Sequence, residues 1–215
     1  MDMLRLVLVR HGFSLGNEKH LLSGWSDVPL TDKGRQELRL LRQQMDYPQT
    51  QKYYSSDLCR CTETFQIIYE GRAELDGLLP QFREIYFGSL ENRPESELPS
   101  REFFAAWLRG ERIGNGETFD GETFEGFRSR ITGALEDLIR RCREEKTDSV
   151  TVVTHSGVIR TLLLSLRHLE GNGFPAISTP NGLGYVLKLG ISQPQPELIE
   201  CEPISARPAL SRQTG

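Results

Sequence analysis

Two short apolar runs, far apart in the chain, share one pattern. Leu4-Arg5-Leu6-Val7-Leu8-Val9 leads into Arg10-His11-Gly12, and Ser149-Val150-Thr151-Val152-Val153-Thr154 leads into His155-Ser156-Gly157. Runs of this length, rich in Val and Leu, read as buried parallel strands. Each delivers an imidazole to its carboxyl end, the side of an open α/β sheet where ligand sites gather. The pattern therefore predicts an anion held between two histidines.

The intervening periodicity is mixed. Thr31 is placed to cap a helix carrying Leu38, Leu41 and Met45, and residues 52–56 read as a strand followed by a helix with Thr64, Phe65, Ile67 and Ile68 inward. A strand is expected at 75–79 and a helix over 123–145, whose inner face is Phe127, Ile131, Leu135, Leu138 and Ile139. The second histidine opens a helix through Val158, Ile159, Leu162, Leu163 and Leu166, and 182–189 and 197–201 read as edge strands. Residues 13–30 are polar and glycine-containing, too long for a simple turn. Phe103, Phe104 and Trp107 read as a short helix packing a lid. Strands alternating with helices predict a three-layer α/β/α sandwich with a mostly parallel central sheet. One domain over 1–202 is expected, with 203–215 a disordered tail that has little to bury.

Composition narrows the partners. The 215 residues carry 26 basic and 30 acidic side chains, a net charge of −4, with no basic tract. That argues against a nucleic-acid or membrane-surface binder, so an anion site here has to be a local arginine cluster. No run approaches the length of a membrane span, and Asp2, Arg5 and Arg10 interrupt any signal-like start, which makes the cytoplasm the expected location. Cys59, Cys61, Cys142 and Cys201 show no paired spacing and read as free thiols.

A transferring phosphoryl group spreads charge over three equatorial oxygens, with nucleophile and leaving oxygen in line. Arginine forks match those oxygens and stay charged at any working pH. The chain offers Arg10 and Arg60 to clamp oxygens, His11 to attack as neutral imidazole, and His155 as a further donor. Asn17 offers an amide contact and Glu84 a general acid. Ser156 has two readings, an anion-binding amide at a helix start or a hydroxyl cap. Trp25 and Phe87 read equally as pocket wall or as core, and with Ser23 and Gly24 they form the candidate substrate pocket. His20 and His168 read as surface or structural residues, and Arg35, Arg39, Arg42, Arg140, Arg141 and Arg143 as solvated charges.

Taken together, these residues resemble a known family. Arg10-His11-Gly12 with Ser14 and Asn17, the stretch from Ser23-Gly24-Trp25 to Leu30-Thr31, and Ser55-Ser56-Asp57-Leu58-Cys59-Arg60 follow the pattern of the histidine phosphatase superfamily, the clan of cofactor-dependent phosphoglycerate mutase. Glu84-Ile85-Tyr86-Phe87-Gly88, Gly121-Glu122-Thr123 with Phe127 and Arg130, and Val153-Thr154-His155-Ser156-Gly157 continue it in order, from about residue 4 to 190. The resemblance implies a phosphoglycerate mutase-like fold. It implies that His11 becomes phosphohistidine, that Arg10, Arg60 and His155 bind the phosphoryl group with Asn17 beside them, and that Glu84 protonates the leaving alkoxide and then activates water. It implies no metal and no cofactor.

Three activities compete. A phosphomonoester hydrolase clears the phosphohistidine with water, whereas a phosphoglycerate mutase returns the group to another hydroxyl and needs 2,3-bisphosphoglycerate as primer. A non-catalytic phospho-ligand-binding domain would be expected to have lost at least one of the five core residues, and all are present. Mutases of the resembled type carry a longer insertion after the acid, with an arginine pair. Here Ser89-Leu90-Glu91-Asn92-Arg93-Pro94-Glu95-Ser96-Glu97 is acidic with a single arginine, which favours hydrolysis. Pocket walls are expected from residues 20–26, 86–110 and 178–184, where Tyr86, Phe87, Phe103, Phe104 and Trp107 suggest partly apolar small phosphomonoesters or broad tolerance, and the oligomeric state stays open, a homodimer included.

Overall fold

Along the first strand, β1 (Met3–Arg10), Leu4, Leu6 and Leu8 point to one face and Val7 and Val9 to the other, and all five are buried. A strand apolar on both faces has to lie inside a sheet covered twice, and the computed structural model, which describes residues 2–97, 120–168 and 176–207, places it so. The following elements are α1 (Leu15–Glu18), α2 (Asp32–Gln44), β2 (Lys52–Ser55), α3 (Cys59–Ile68) and β3 (Gly77–Leu78). Then come α4 (Phe124–Glu145), β4 (Ser149–Thr154), α5 (Ser156–Leu166), β5 (Gly184–Gly190) and β6 (Glu197–Pro203).

Six strands form one sheet in the order β3-β2-β4-β1-β5-β6. The β3-β2, β2-β4 and β4-β1 pairs are parallel, and β5 and β6 add antiparallel pairs. One face packs Leu4, Leu6, Leu8, Val150 and Val152 against α4 and α5 through Phe127, Ile131, Leu135, Ile159 and Leu162. The other packs Val7, Val9, Tyr53 and Val153 against α2 and α3 through Leu38, Cys61, Phe65 and Ile68. Helices therefore cover both faces, as the three-layer reading requires. Thr31 caps α2 by accepting from the Gly34 amide at 2.9 Å, and Arg35 ties α2 to α3 through Glu63.

Two expectations fail at the far side of the sheet. The 182–189 segment is not an edge: β5 pairs with β1 over Val9↔Gly184 to Met3↔Gly190 and with β6 on its other side. Nor does the ordered chain stop at 202. Ile204 is buried, its amide donates to the Gly184 carbonyl at 2.9 Å, and the Arg207 amide donates to the Gln44 carbonyl at 2.8 Å. One apolar residue and a few backbone hydrogen bonds suffice to hold 203–207, because β5 and the end of α2 supply the partners. Phe103, Phe104 and Trp107 lie outside the described residues.

Candidate active site

Arg10 pairs with Thr154 across β1 and β4, and the His11 amide donates to the Thr154 carbonyl at 2.9 Å. That register sets His11 and His155 side by side beyond the strand ends, ring centroids 5.3 Å apart and planes at 62°. His11 is 6% exposed and His155 fully buried. Helices α2 and α3 lie on one face and α4 and α5 on the other, so the β1–β4 boundary is the switch point of the sheet.

The His11 Nδ1 lies 2.7 Å from the Gly12 carbonyl. A carbonyl only accepts, so Nδ1 carries the proton and Nε2 keeps its lone pair. Burial above all, then the Arg60 and Arg10 charges, hold the His11 pKa well below the usual 6.5, and His155 is lowered likewise by burial, Arg60, His11 and Arg10. Both rings are neutral at pH 7. His155 Nε2 is engaged by the Ser56 hydroxyl at 2.9 Å, with Cys61 Sγ at 3.4 Å. Burial pushes the Cys61 thiol up to about 12, so it stays protonated beside the ring.

The two arginines differ. Arg10 donates one terminal nitrogen to the Thr179 carbonyl at 2.6 Å, while its Nε is buried with no hydrogen-bond partner among the described residues. An orphaned buried donor costs about 1–3 kcal/mol, which an anion oxygen would recover. Arg60, 1% exposed, spends both terminal nitrogens on loop carbonyls, those of Ser23 at 2.9 Å, Gly24 at 2.8 Å and Ser26 at 2.8 Å. Its charge still reaches both histidines. Asn17 Oδ1 accepts from the Ser14 amide, the Ser14 hydroxyl and Asn181 Nδ2, which leaves its NH2 as the donating end.

Glu84 lies over the start of α5, where one oxygen accepts from the Gly157 amide at 2.9 Å and the other from its neighbour Ile85 at 3.0 Å. Gly157 makes that approach possible, since a Cβ there would come within 2.1 Å of Glu84 Oε1. The Glu84 carbonyl is fixed by Trp25 Nε1 at 3.0 Å and by Arg130 at 3.2 Å, and Arg130 also binds the Gln81 and Arg83 carbonyls and pairs with Glu122. The carboxylate thus sits at a positive helix end on a braced backbone.

Several candidates make contacts within the protein. The Ser156 hydroxyl bonds Thr179 Oγ1 at 2.7 Å instead of capping α5. Ser23 and Gly24 enter through carbonyls that Arg60 binds, and Phe87 packs against the larger core. Trp25 is 39% exposed and stacks obliquely on Tyr86, with the Arg83 and Arg130 guanidinia over its ring. His20 and His168 are exposed. Thr179 and Asn181 fall in 178–184 and Glu91 in 86–110, stretches expected as pocket wall, but none of the three is singled out by sequence, and only the turn-forming Pro180-Asn181-Gly182, with Gly182 at φ 75°, carried a local signal. Among the described residues no three His, Cys, Asp or Glu side chains are placed to hold a metal, and no helix is long and apolar enough to cross a membrane.

An unprotonated imidazole nitrogen, buried guanidinium charge and a carboxylate at a helix end form a set suited to phosphoryl transfer. The sequence profile of the histidine phosphatase superfamily (branch 1) matches residues 6–201. The adenosylcobalamin/alpha-ribazole phosphatase of Salmonella typhimurium is 30% identical over 76% of this chain and 79% of its own. A 2,3-bisphosphoglycerate-dependent phosphoglycerate mutase of Gloeobacter violaceus is 29% identical over 78% of each chain. The crystal structure of the alpha-ribazole phosphatase from Shigella flexneri shares the fold, with a TM-score of 0.70 over 91% of this chain and 94% of that one at 24% identity. The chain therefore belongs to the histidine phosphatase superfamily and is an enzyme of that phosphatase and phosphomutase class.

Proposed function

We propose that this enzyme is a phosphomonoester hydrolase working through a phosphohistidine on His11. The observation that carries the reading is the pairing of His11, its Nδ1 tied to the Gly12 carbonyl, with a buried Arg10 Nε that has no hydrogen-bond partner among the described residues. The Nε2 lone pair attacks phosphorus while Arg10, the charge of Arg60, His155 and the Asn17 NH2 stabilise the equatorial oxygens. As the P–O bond of the ester breaks, Glu84 gives its proton to the leaving oxygen. Glu84 then takes a proton from water, whose oxygen attacks phosphorus and returns His11 to its free form. Side-chain charge alone serves this scheme, and no cofactor enters it.

Hydrolysis is favoured over mutase chemistry by the segment after the acid. Arg93, the single arginine of Ser89–Glu97, is exposed and lies 4.0 Å from Glu97. The mutase reading keeps the support of the Gloeobacter relative. The test supplies 3-phosphoglycerate, with and without catalytic 2,3-bisphosphoglycerate, and separately an aryl phosphate. Free phosphate and 2-phosphoglycerate are both followed, with His11→Ala as blank. Phosphate release without isomer formation is the expected result, and 2-phosphoglycerate formation primed by the bisphosphate would replace the hydrolase with a mutase. Glu84→Gln should slow alkyl phosphates by about 10²-fold or more and good aryl leaving groups far less.

A further inference from the structure

We propose that Glu91 is a positioning residue for Glu84, acting through the 23–26 loop that it and Arg60 grip from opposite sides. The inference rests on the hydrolase reading, in which Glu84 is the acid. Glu91 Oε1 accepts from the Trp25 amide at 2.9 Å and the Phe87 amide at 3.0 Å. Its Oε2 accepts from the Ser26 amide at 2.9 Å and also from the Ser26 hydroxyl. An ionised carboxylate has only acceptor sites, and here four donors from two distant segments fill them.

The other side of the same loop belongs to Arg60, which binds the carbonyls of Ser23, Gly24 and Ser26. Ser26 is held at both ends of its backbone, the carbonyl by the cation and the N–H by the anion. The Gly24–Trp25 peptide is held the same way, its carbonyl by Arg60 and its N–H by Glu91, so its dipole is aligned with both charges and the loop cannot rock without breaking charge-assisted bonds. Backbone shape agrees with this purpose. A Cβ on residue 24 would lie 1.9 Å from the Ile85 carbonyl and 2.5 Å from Glu91 Oε1, so only glycine lets the loop lie down on the 85–91 segment.

The clamp reaches the acid through Trp25. Glu91 fixes the Trp25 amide, and the indole N–H of Trp25 donates to the Glu84 carbonyl at 3.0 Å. Glu91 also fixes Phe87, three residues beyond Glu84 on the same strand of chain. Removing Glu91 therefore loosens two attachments of the acid-bearing segment, leaving those made by Arg130 in place and the Glu84 carboxyl and its Gly157 contact chemically intact. The clamp gives the phosphate-binding side and the proton-donating side of the site a common frame.

The test compares kcat and KM on 4-nitrophenyl phosphate and on an alkyl phosphate for Glu91→Gln, Glu91→Ala, Trp25→Phe and Glu84→Gln, with melting temperature measured for each. Glu91→Gln keeps the shape and one carbonyl acceptor, so it should fold and serve where Glu91→Ala does not. The expected result is a kcat loss roughly tenfold larger on the alkyl ester than on the aryl ester for both Glu91 variants, scaled down from the Glu84→Gln pattern. Trp25→Phe should share that signature, and the double variant with Glu91→Gln should be no worse than the stronger single one, because both act on one connection. Equal losses on the two esters, or unaltered kinetics, would overturn the proposal. Should Glu84→Gln itself fail to discriminate between esters, the acid assignment falls first, and the positioning role with it.

Discussion

The ends of β1 and β4 look alike in sequence, each a strand, a histidine and a nearby glycine, yet they are finished differently. At the β1 end the imidazole is tied by Nδ1 to the chain's own next carbonyl, which leaves the lone pair on Nε2. At the β4 end the ring is sealed from solvent and its Nε2 is occupied by the Ser56 hydroxyl. The same contrast runs through the glycines. Gly157 opens space for a carboxylate at the head of α5, whereas the Gly12 carbonyl orients the ring beside it. Under the proposed hydrolase scheme the two copies divide the labour, His11 presenting a nucleophile and His155 a buried, tethered ring beside it. Equivalence by motif is not equivalence by role.

Breaking the pair should expose that division. The largest effect is expected for His11→Ala, a loss of at least about 10⁴-fold in kcat with no acid-labile phosphoenzyme trapped after a rapid quench. His155→Ala should cost less, about 10²- to 10³-fold, the range typical of losing one oxyanion donor, and the phosphoenzyme should still form. Comparable losses for the two, with the intermediate gone from both, would erase the distinction. Ser56→Ala removes the tether on His155 Nε2, and a loss near tenfold, about 1.4 kcal/mol, is expected from one buried hydrogen bond.

The smallest effect is on stability. Both histidines have folded pKa values depressed well below 6.5, so as pH falls past about 6.5 the unfolded chain takes up protons before the folded one does. Their stabilisation is complete above that pH and is lost on the way down through the depressed folded values. Urea unfolding between pH 7 and 5 should show stability falling, each histidine contributing up to about 1.4 kcal/mol per pH unit. His155→Asn should flatten that slope by one histidine's share, and an unchanged slope would mean that the ring is already protonated in the folded enzyme.

How much of this was readable beforehand follows from the range of the interactions involved. Strand burial and the two histidines were legible, because a run such as Leu4 to Val9 carries its period locally and the residue after a strand end is fixed by chain order. Thr31 and the inner face of α4 were legible for the same reason. The loop-gripping use of Arg60, the carboxylate of Glu91 and the three-way amide of Asn181 were not, since each acts on backbone groups tens of residues away that no spacing announces. The edge assignment of β5 erred because its exposed Lys188 mimics a solvent-facing strand, although its backbone is paired on both sides. Ile204 looked too little to anchor a terminus, and its berth beside Gly184 exists only once the sheet has formed.

The central position of β1 has a consequence for how the enzyme fails when warmed. Its amides are bonded to β4 on one side and β5 on the other, so their hydrogen exchange should require opening of the whole sheet. Glu84 itself and the 23–26 loop whose Trp25 holds its carbonyl lie in loop and turn, the part of the molecule that opens at lower free energy, although Arg130 and Gly157 also hold it from α4 and α5. Softening should therefore reach Glu84 while His11 is still held. Close below its midpoint, the enzyme should turn over esters that leave unaided long after those that need a proton have stalled, a selectivity set by the order in which its parts loosen.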